Sequence, residues 1–165
     1  MKKLFYCIFL GAFLLINSVS FAEKMSDTGL IASSARLIPL EDRFQKDSKT
    51  QVITDQQTGL KWLEGPNKAT SWVSAQNWIK SLGNGWRTPT RINLKTLYIK
   101  GAGGGACGNM SKAFHFPKKV WNIWAESRDS STAWEFSFGK GVDCWENINL
   151  PFAHGNRALA VISEK

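Results

Sequence analysis

The chain has 165 residues, with 21 Lys+Arg against 13 Asp+Glu and a formal net charge of +8. A hydrophobic fraction of 43% with 21% charged residues excludes a disordered tail and a multi-span membrane protein, and the length allows one main core. Two histidines and three cysteines leave little material for a histidine-based catalytic set or a zinc cluster.

The first residues set the compartment. Lys2 and Lys3 precede an apolar run from Leu4 to Ile16, and Ser20-Phe21-Ala22 offers small residues where a signal peptidase reads. Residues 1–22 therefore read as a secretory signal peptide cleaved after Ala22. The run is shorter than the ~20 residues a transmembrane helix needs. No later segment is apolar enough to span, so no membrane span is expected after signal cleavage. Cys7 lies inside the run and not at its end, which argues against a lipid anchor. Without these 22 residues, 143 remain, carrying 19 basic and 13 acidic residues and a net charge of +6. A basic surface favours acidic partners such as anionic polysaccharide, envelope phosphate or nucleic acid. The charge is scattered, however, and equally fits a solvated face. Lys118-Lys119 is the only basic doublet after the signal.

Residues 23–48 are polar and weakly periodic, and read as an N-terminal arm or linker; residues 49–165 read as the domain. Gln51 to Thr54 and Leu60 to Leu63 are strand signals around the turn-forming Asp55 to Gly59, a hairpin. Gly65-Pro66-Asn67 breaks the chain. Thr70 or Ser71 can cap a helix whose apolar face is Trp72, Ala75, Ile79 and Leu82, ended by Gly83. After the tight connector Gly85 to Pro89, Thr90 can cap a second helix presenting Leu94, Leu97 and Tyr98.

Gly101 to Gly108 is glycine-rich and carries Cys107. A Walker loop needs Lys and Ser/Thr after its last glycine, but Asn109-Met110 follow here. The segment reads as a flexible surface loop. The last third is β-rich. Val120 to Ala125 is a strand, and Trp134, Phe136 and Phe138 alternate with Glu135 and Ser137 as a half-buried strand. Gly139-Lys140-Gly141 turns the chain, and Val142 to Trp145 returns. Ala158 to Ile162 is apolar enough for the centre of a sheet. A hairpin, two helices, long loops and then strands is an α+β order.

Several of these residues form a recognisable set. Thr54 to Trp62 resembles the TDxxTGLxW opening of a bacterial family named after the C-terminal domain of a Legionella collagen-like protein. Trp72 with Ala75 is similar to its W..A helix. Gly85 to Thr90 is similar to its WRLPT hallmark, with Thr88 in place of leucine. Trp124 to Ser127 resembles its WSS strand with two small residues replaced, Ala133 to Gly141 its AWxxxFxxG hairpin, and Arg157 to Val161 its closing RxxxxV strand. The resemblance covers about residues 50–163. It implies a C-type-lectin-like fold, with two short helices packed on small antiparallel sheets and long loops. It implies structural roles for Asp55, Thr58, Gly59, Trp62, Trp72, Trp86, Arg87, Pro89, Trp124, Trp134, Phe138, Gly141 and Arg157. Of these, Trp62, Trp72, Trp86 and Trp134 are expected in the core. The named relative points to sulfated polysaccharide, but the fold hosts many functions.

No catalytic constellation emerges. His115 and His154 each stand alone in loop-like sequence, and no Gly-x-Ser-x-Gly elbow occurs. In an exported protein the pair Cys107 and Cys144 reads as a disulfide closing a loop of 37 residues. Such a bond is worth roughly 3–4 kcal/mol; metal ligation and a reactive thiol are the alternatives. Glu64 to Asn67 and Trp145 to Asn147 partly resemble calcium-lectin signatures, but Glu64 belongs to the early hairpin. No metal, calcium dependence or cofactor is expected, and no nucleic-acid motif appears. Trp121 and Trp145, with Lys118, Lys119, Arg128 and Lys140, are the candidate ligand residues. The sequence thus points to a secreted or periplasmic non-enzymatic binding module for an anionic glycan or an envelope protein. A structural or assembly component of an envelope complex is the alternative, and a formylglycine-generating-like enzyme ranks below both.

Overall fold

The polypeptide forms two small antiparallel sheets because its strand signals fall in two groups separated by helices. The computed structural model describes residues 38–117, 119–149 and 155–163; residues 1–22, read from the sequence as a signal peptide, lie outside them. Among the described residues, no helix is long and apolar enough to cross a membrane. A one-turn helix α1 (Leu40–Arg43) leads into β1 (Phe44–Lys46), β2 (Ile53–Asp55) and β3 (Leu60–Glu64). Helices α2 (Trp72–Leu82) and α3 (Arg91–Thr96) follow. The chain then makes β4 (Asn122–Ser127), β5 (Thr132–Ser137), β6 (Val142–Asn147) and β7 (Leu159–Ser163). Sheet A has the order β1-β2-β3-β7 and sheet B the order β4-β5-β6, every pair antiparallel. This is the α+β architecture expected.

The helices form where their caps place them. The Ser71 hydroxyl accepts from Ser74 N–H at 3.2 Å, and Gly83 ends α2 with φ of 62°. Thr90 caps α3 in a reciprocal box with Asn93. Two indoles then lock α2 onto β4: Trp72 Nε1 donates to Ala125 O at 3.2 Å, and Trp124 Nε1 donates to Thr70 O at 2.7 Å.

The first hairpin turns on Asp55. Its fully buried carboxylate accepts from Arg43 Nε and Nη2 at 2.8 Å each, from Thr58 Oγ1 at 2.8 Å and from Gln57 N–H at 3.0 Å. Arg43 Nη2 also reaches Thr96 O at 2.9 Å, tying α1 to the end of α3. Burial alone would raise the Asp55 pKa, but these donors outweigh it and hold the carboxyl below its ordinary value. Strand β1, inside the segment read as an arm, pairs with β2 across the residue-49 boundary.

Four expectations change. Cys107 and Cys144 are not joined in a disulfide. Cys107 sits at φ of 63° in a single 3₁₀ turn with Sγ 3.4 Å from Val120 O, whereas Cys144 stands opposite Glu135 within sheet B. The glycine-rich segment is packed and not a loose surface loop. A Cβ on Gly104 would come within 2.3 Å of Met110 O, and one on Gly105 within 2.1 Å of Phe116 O. Met110, Phe114, Phe116 and Val120 from the same irregular stretch are buried in the main core with Trp62, Leu94, Leu97 and Phe136. Strand β5 is buried on both faces: Phe136 meets the main core, and Ala133 meets a second cluster with Ala75, Trp124, Trp72 and Trp78. Strand β7 lies at the end of sheet A's order, with the backbone of Arg87 pairing to Val161 on its outer side.

The double burial of β5 encloses Glu135. Its carboxylate accepts from Asn122 Nδ2 at 2.8 Å and from Asn156 Nδ2. Burial pushes its pKa up from 4.5 to about 7, with a smaller push from Glu146.

Asp55→Ala is expected to lose about 3–5 kcal/mol, because it strands a buried guanidinium. Urea unfolding checks this, and a loss below about 1 kcal/mol would show the pair to be idle. For Glu135, the folded state binds the proton more tightly than the unfolded chain between pH 4.5 and about 7. The contribution of Glu135 to stability is therefore greatest at low pH and falls by roughly 3 kcal/mol as pH rises through that window. Glu135→Gln removes this slope, so Tm measured at pH 5 and pH 8 should diverge less in the variant. Equal slopes in the two proteins would refute the assignment.

Candidate functional site

Sheet B carries the most chemically distinctive surface. The β5–β6 register sets Trp134 directly opposite Trp145 on one face. Two arginines interleave with these indoles. Arg91 Cζ lies 4.0 Å from the Trp134 ring centroid. Arg128 Cζ lies 5.5 Å from Trp134 and 4.6 Å from Trp145. These distances are within cation–π range.

The two cations differ in how far their charge is answered. Arg91 is compensated: its backbone N–H and Nε reach Glu126 at 2.7 and 3.2 Å, and Nη1 lies 3.9 Å from Asp143. Arg128 is exposed, and among the described residues its side chain makes no hydrogen bond or ion pair. The turn that carries it is rigid. Asp129 accepts from Ser131 N–H, Thr132 N–H and both their hydroxyls. The Thr132 hydroxyl leads these bonds in holding the Asp129 carboxyl far below the usual range. Arg128 N–H and Asp129 N–H both donate to Thr132 O, at 2.9 and 3.2 Å. Trp145 is 38% exposed at the outer end of the stack.

The five candidate ligand residues that the structure describes divide between two corners of the sheet. Trp145 and Arg128 meet at the β4–β5 turn. Trp121 and Lys140 belong to the other end, where Phe138 N–H donates to Trp121 O at 2.7 Å. Lys119 is exposed two residues before Trp121. Lys118 lies outside the described residues. Of the four tryptophans expected in the core, only Trp62 is fully buried; Trp72, Trp86 and Trp134 are partly open, and Trp124 takes a core place instead. Trp134 packs against the edge of the main core and has the guanidinium groups of Arg91 and Arg128 against its ring. The remaining family-motif residues act as scaffold. Gly59 closes the first turn, Pro89 is buried, Phe138 is core, and Gly141 closes the sheet B hairpin. Arg157 pairs its backbone with Asn122 and Trp124. The roles of Arg91 and Glu126 went unread in the sequence; the Thr90 cap beside Arg91 was the only local signal.

A second polar group lines a cleft of about 290 Å³. Lys46 Nζ lies 3.0 Å from Glu64 Oε2 and 2.7 Å from His115 Nδ1, and His115 N–H donates to Glu64 Oε1 at 2.7 Å. His115 is thus tethered, not solitary. The salt-bridged carboxylate has both oxygens engaged, which leaves little reactivity. His154 lies outside the described residues. Among the described residues, no three His, Cys, Asp or Glu side chains converge as a metal site.

No curated protein matches the sequence. The family model of the Lcl C-terminal domain matches residues 51–157, from the Asp55 hairpin through the two sheet B turns to Arg157, and the chain belongs to that family.

Proposed function

We propose that this chain is an exported, non-catalytic binding module of the C-type-lectin-like kind, which holds an anionic polysaccharide outside the cytoplasm. The observation that carries this reading is the Arg128–Trp145 pair, a guanidinium 4.6 Å from an exposed indole with no acidic partner among the described residues. A sugar ring presents an apolar face suited to the indole, while a carboxylate or sulfate takes the guanidinium's planar donors. Arg128 stands on the turn after β4 and Trp145 on β6, so the proposed surface is built on a tight turn and a strand and not on the glycine-rich segment, whose side chains feed the core. Export rests on the basic start, apolar run and Ala22 site of residues 1–22.

A second reading, an assembly component bound to an envelope protein, draws on Ile92, which is 76% exposed beside Arg91. A glycan array separates the two. Saturable binding to anionic glycans that weakens with added salt supports the module; a silent array, with a protein co-purifying through Ile92, supports the assembly role. Within the first reading, Arg128→Ala and Trp145→Ala should each weaken glycan affinity at least about tenfold, a loss of ~1.4 kcal/mol. Tm should move little, because both side chains are at the surface. Unchanged affinity in both variants would refute the site.

A further inference from the structure

The two corners of sheet B share one edge strand. Strand β6 is last in the order β4-β5-β6, and no other strand among the described residues pairs with it. At one end stand Trp145 and Arg128, level with Trp134 of β5. At the other end the turn residue Lys140 leads into β6, and Trp121, the residue before β4 and level with Phe138, lays its ring over Gly139 of that turn. Four residues of strand separate these levels, about 13 Å.

The Trp121 corner is built on a ring over a glycine. The benzo ring of Trp121 covers Gly139 so closely that a Cβ there would come within 2.2 Å of Cε3. The contact fixes the ring, yet 52% of Trp121 remains exposed. Lys119 lies two residues before Trp121 and Lys140 directly follows Gly139; both are exposed, and no ion pair engages either among the described residues. The edge between the corners offers no free cation: Asp143 is occupied by Arg91 at 3.9 Å, and Val142 and Cys144 are half-buried. The surface therefore has two separate aromatic and cationic contact points, not one continuous basic groove.

We infer that the ligand is a polymer engaged at both points: one anionic polysaccharide chain runs along β6, held by Trp145 and Arg128 at one end and by Trp121, Lys119 and Lys140 at the other. This rests on the glycan-binding reading above and adds a minimum length to it. A fragment shorter than the spacing satisfies one corner only. A longer chain makes its second contact intramolecularly, which raises affinity without any new kind of interaction.

Calorimetric titration of the protein with a heparin-derived disaccharide and octasaccharide tests this. The octasaccharide should bind with one chain per protein and on the order of a hundredfold more tightly than the disaccharide. The double variant K119A/K140A should bring that ratio down about tenfold while leaving disaccharide affinity unchanged. K49A/K80A removes the same charge from exposed positions elsewhere and should leave the ratio intact. R128A should weaken both lengths. Equal affinity for the two lengths, or a ratio that K119A/K140A lowers no more than K49A/K80A, overturns the two-point chain while a loss in R128A keeps the single site. Absence of binding at either length overturns the reading beneath it.

Discussion

Around Asn156 and Arg157 the chain leaves sheet B and becomes the last strand of sheet A, and the two sheets are stitched at that seam. Arg157 N–H donates to Asn122 O and its carbonyl accepts from Trp124 N–H, both at 3.1 Å. One residue earlier, Asn156 donates to Glu135, and its carbonyl accepts from Thr70 N–H at 3.0 Å. Strand, helix entry and edge are thereby fixed to one another through two residues. The carboxylate at the centre has carboxamides for partners and no cation among its hydrogen bonds. In such surroundings a neutral acid is favoured over an ion. The gain from this polar core is uniqueness of register. Sliding β5 by one residue would send Phe136 to the polar side and Glu135 into the apolar core.

Stability without a Cys107–Cys144 cross-link comes from close backbone packing. The segment between α3 and β4 has no strand and only one 3₁₀ turn, yet its glycines let the backbone press against Met110, Ser111 and Phe116. Four large side chains from this stretch then reach the core. The same arithmetic explains Asp55. One short carboxylate anchors Gln57 and Thr58 of the turn, the guanidinium of Arg43 and, through it, the carbonyl at the end of α3. The TDxxTG motif is thus a hub for three elements, which a turn alone would not require.

What could be read in advance was what is encoded locally. Ser71, Thr90 and Gly83 act where their cap chemistry says, and both hairpins form around their turn residues. The family resemblance rested on the same local signals. Burial of Glu135 was illegible because alternation along β5 reports one buried face and one polar face; only the arrival of α2, about fifty residues earlier in sequence, closes the second. Arg43 was equally hidden, since nothing near it in sequence announces a carboxylate twelve residues away. The Trp134–Trp145 pair was hidden by the length of the turn. A three-residue turn at Gly139-Lys140-Gly141 would set Trp134 opposite Glu146, and only a four-residue turn from Phe138 to Gly141 sets it opposite Trp145.

That register also favours strand ends for the recognition proposed. A contact made by a mobile loop must overcome the entropy of ordering the loop, whereas a side chain already fixed loses less on binding. Arg128 follows the last residue of β4 and sits on a turn held by the Asp129 carboxylate; its guanidinium rests between two indoles whose separation the β-ladder sets. Arg91 lies against Trp134, and its own charge is answered by Glu126 and Asp143. The division leaves Arg128 as the member of the stack with charge to offer a ligand. The acids that neutralise Arg91 are therefore as important to selectivity as the cation they leave free, because they limit the stack to a single anionic group beside one exposed ring.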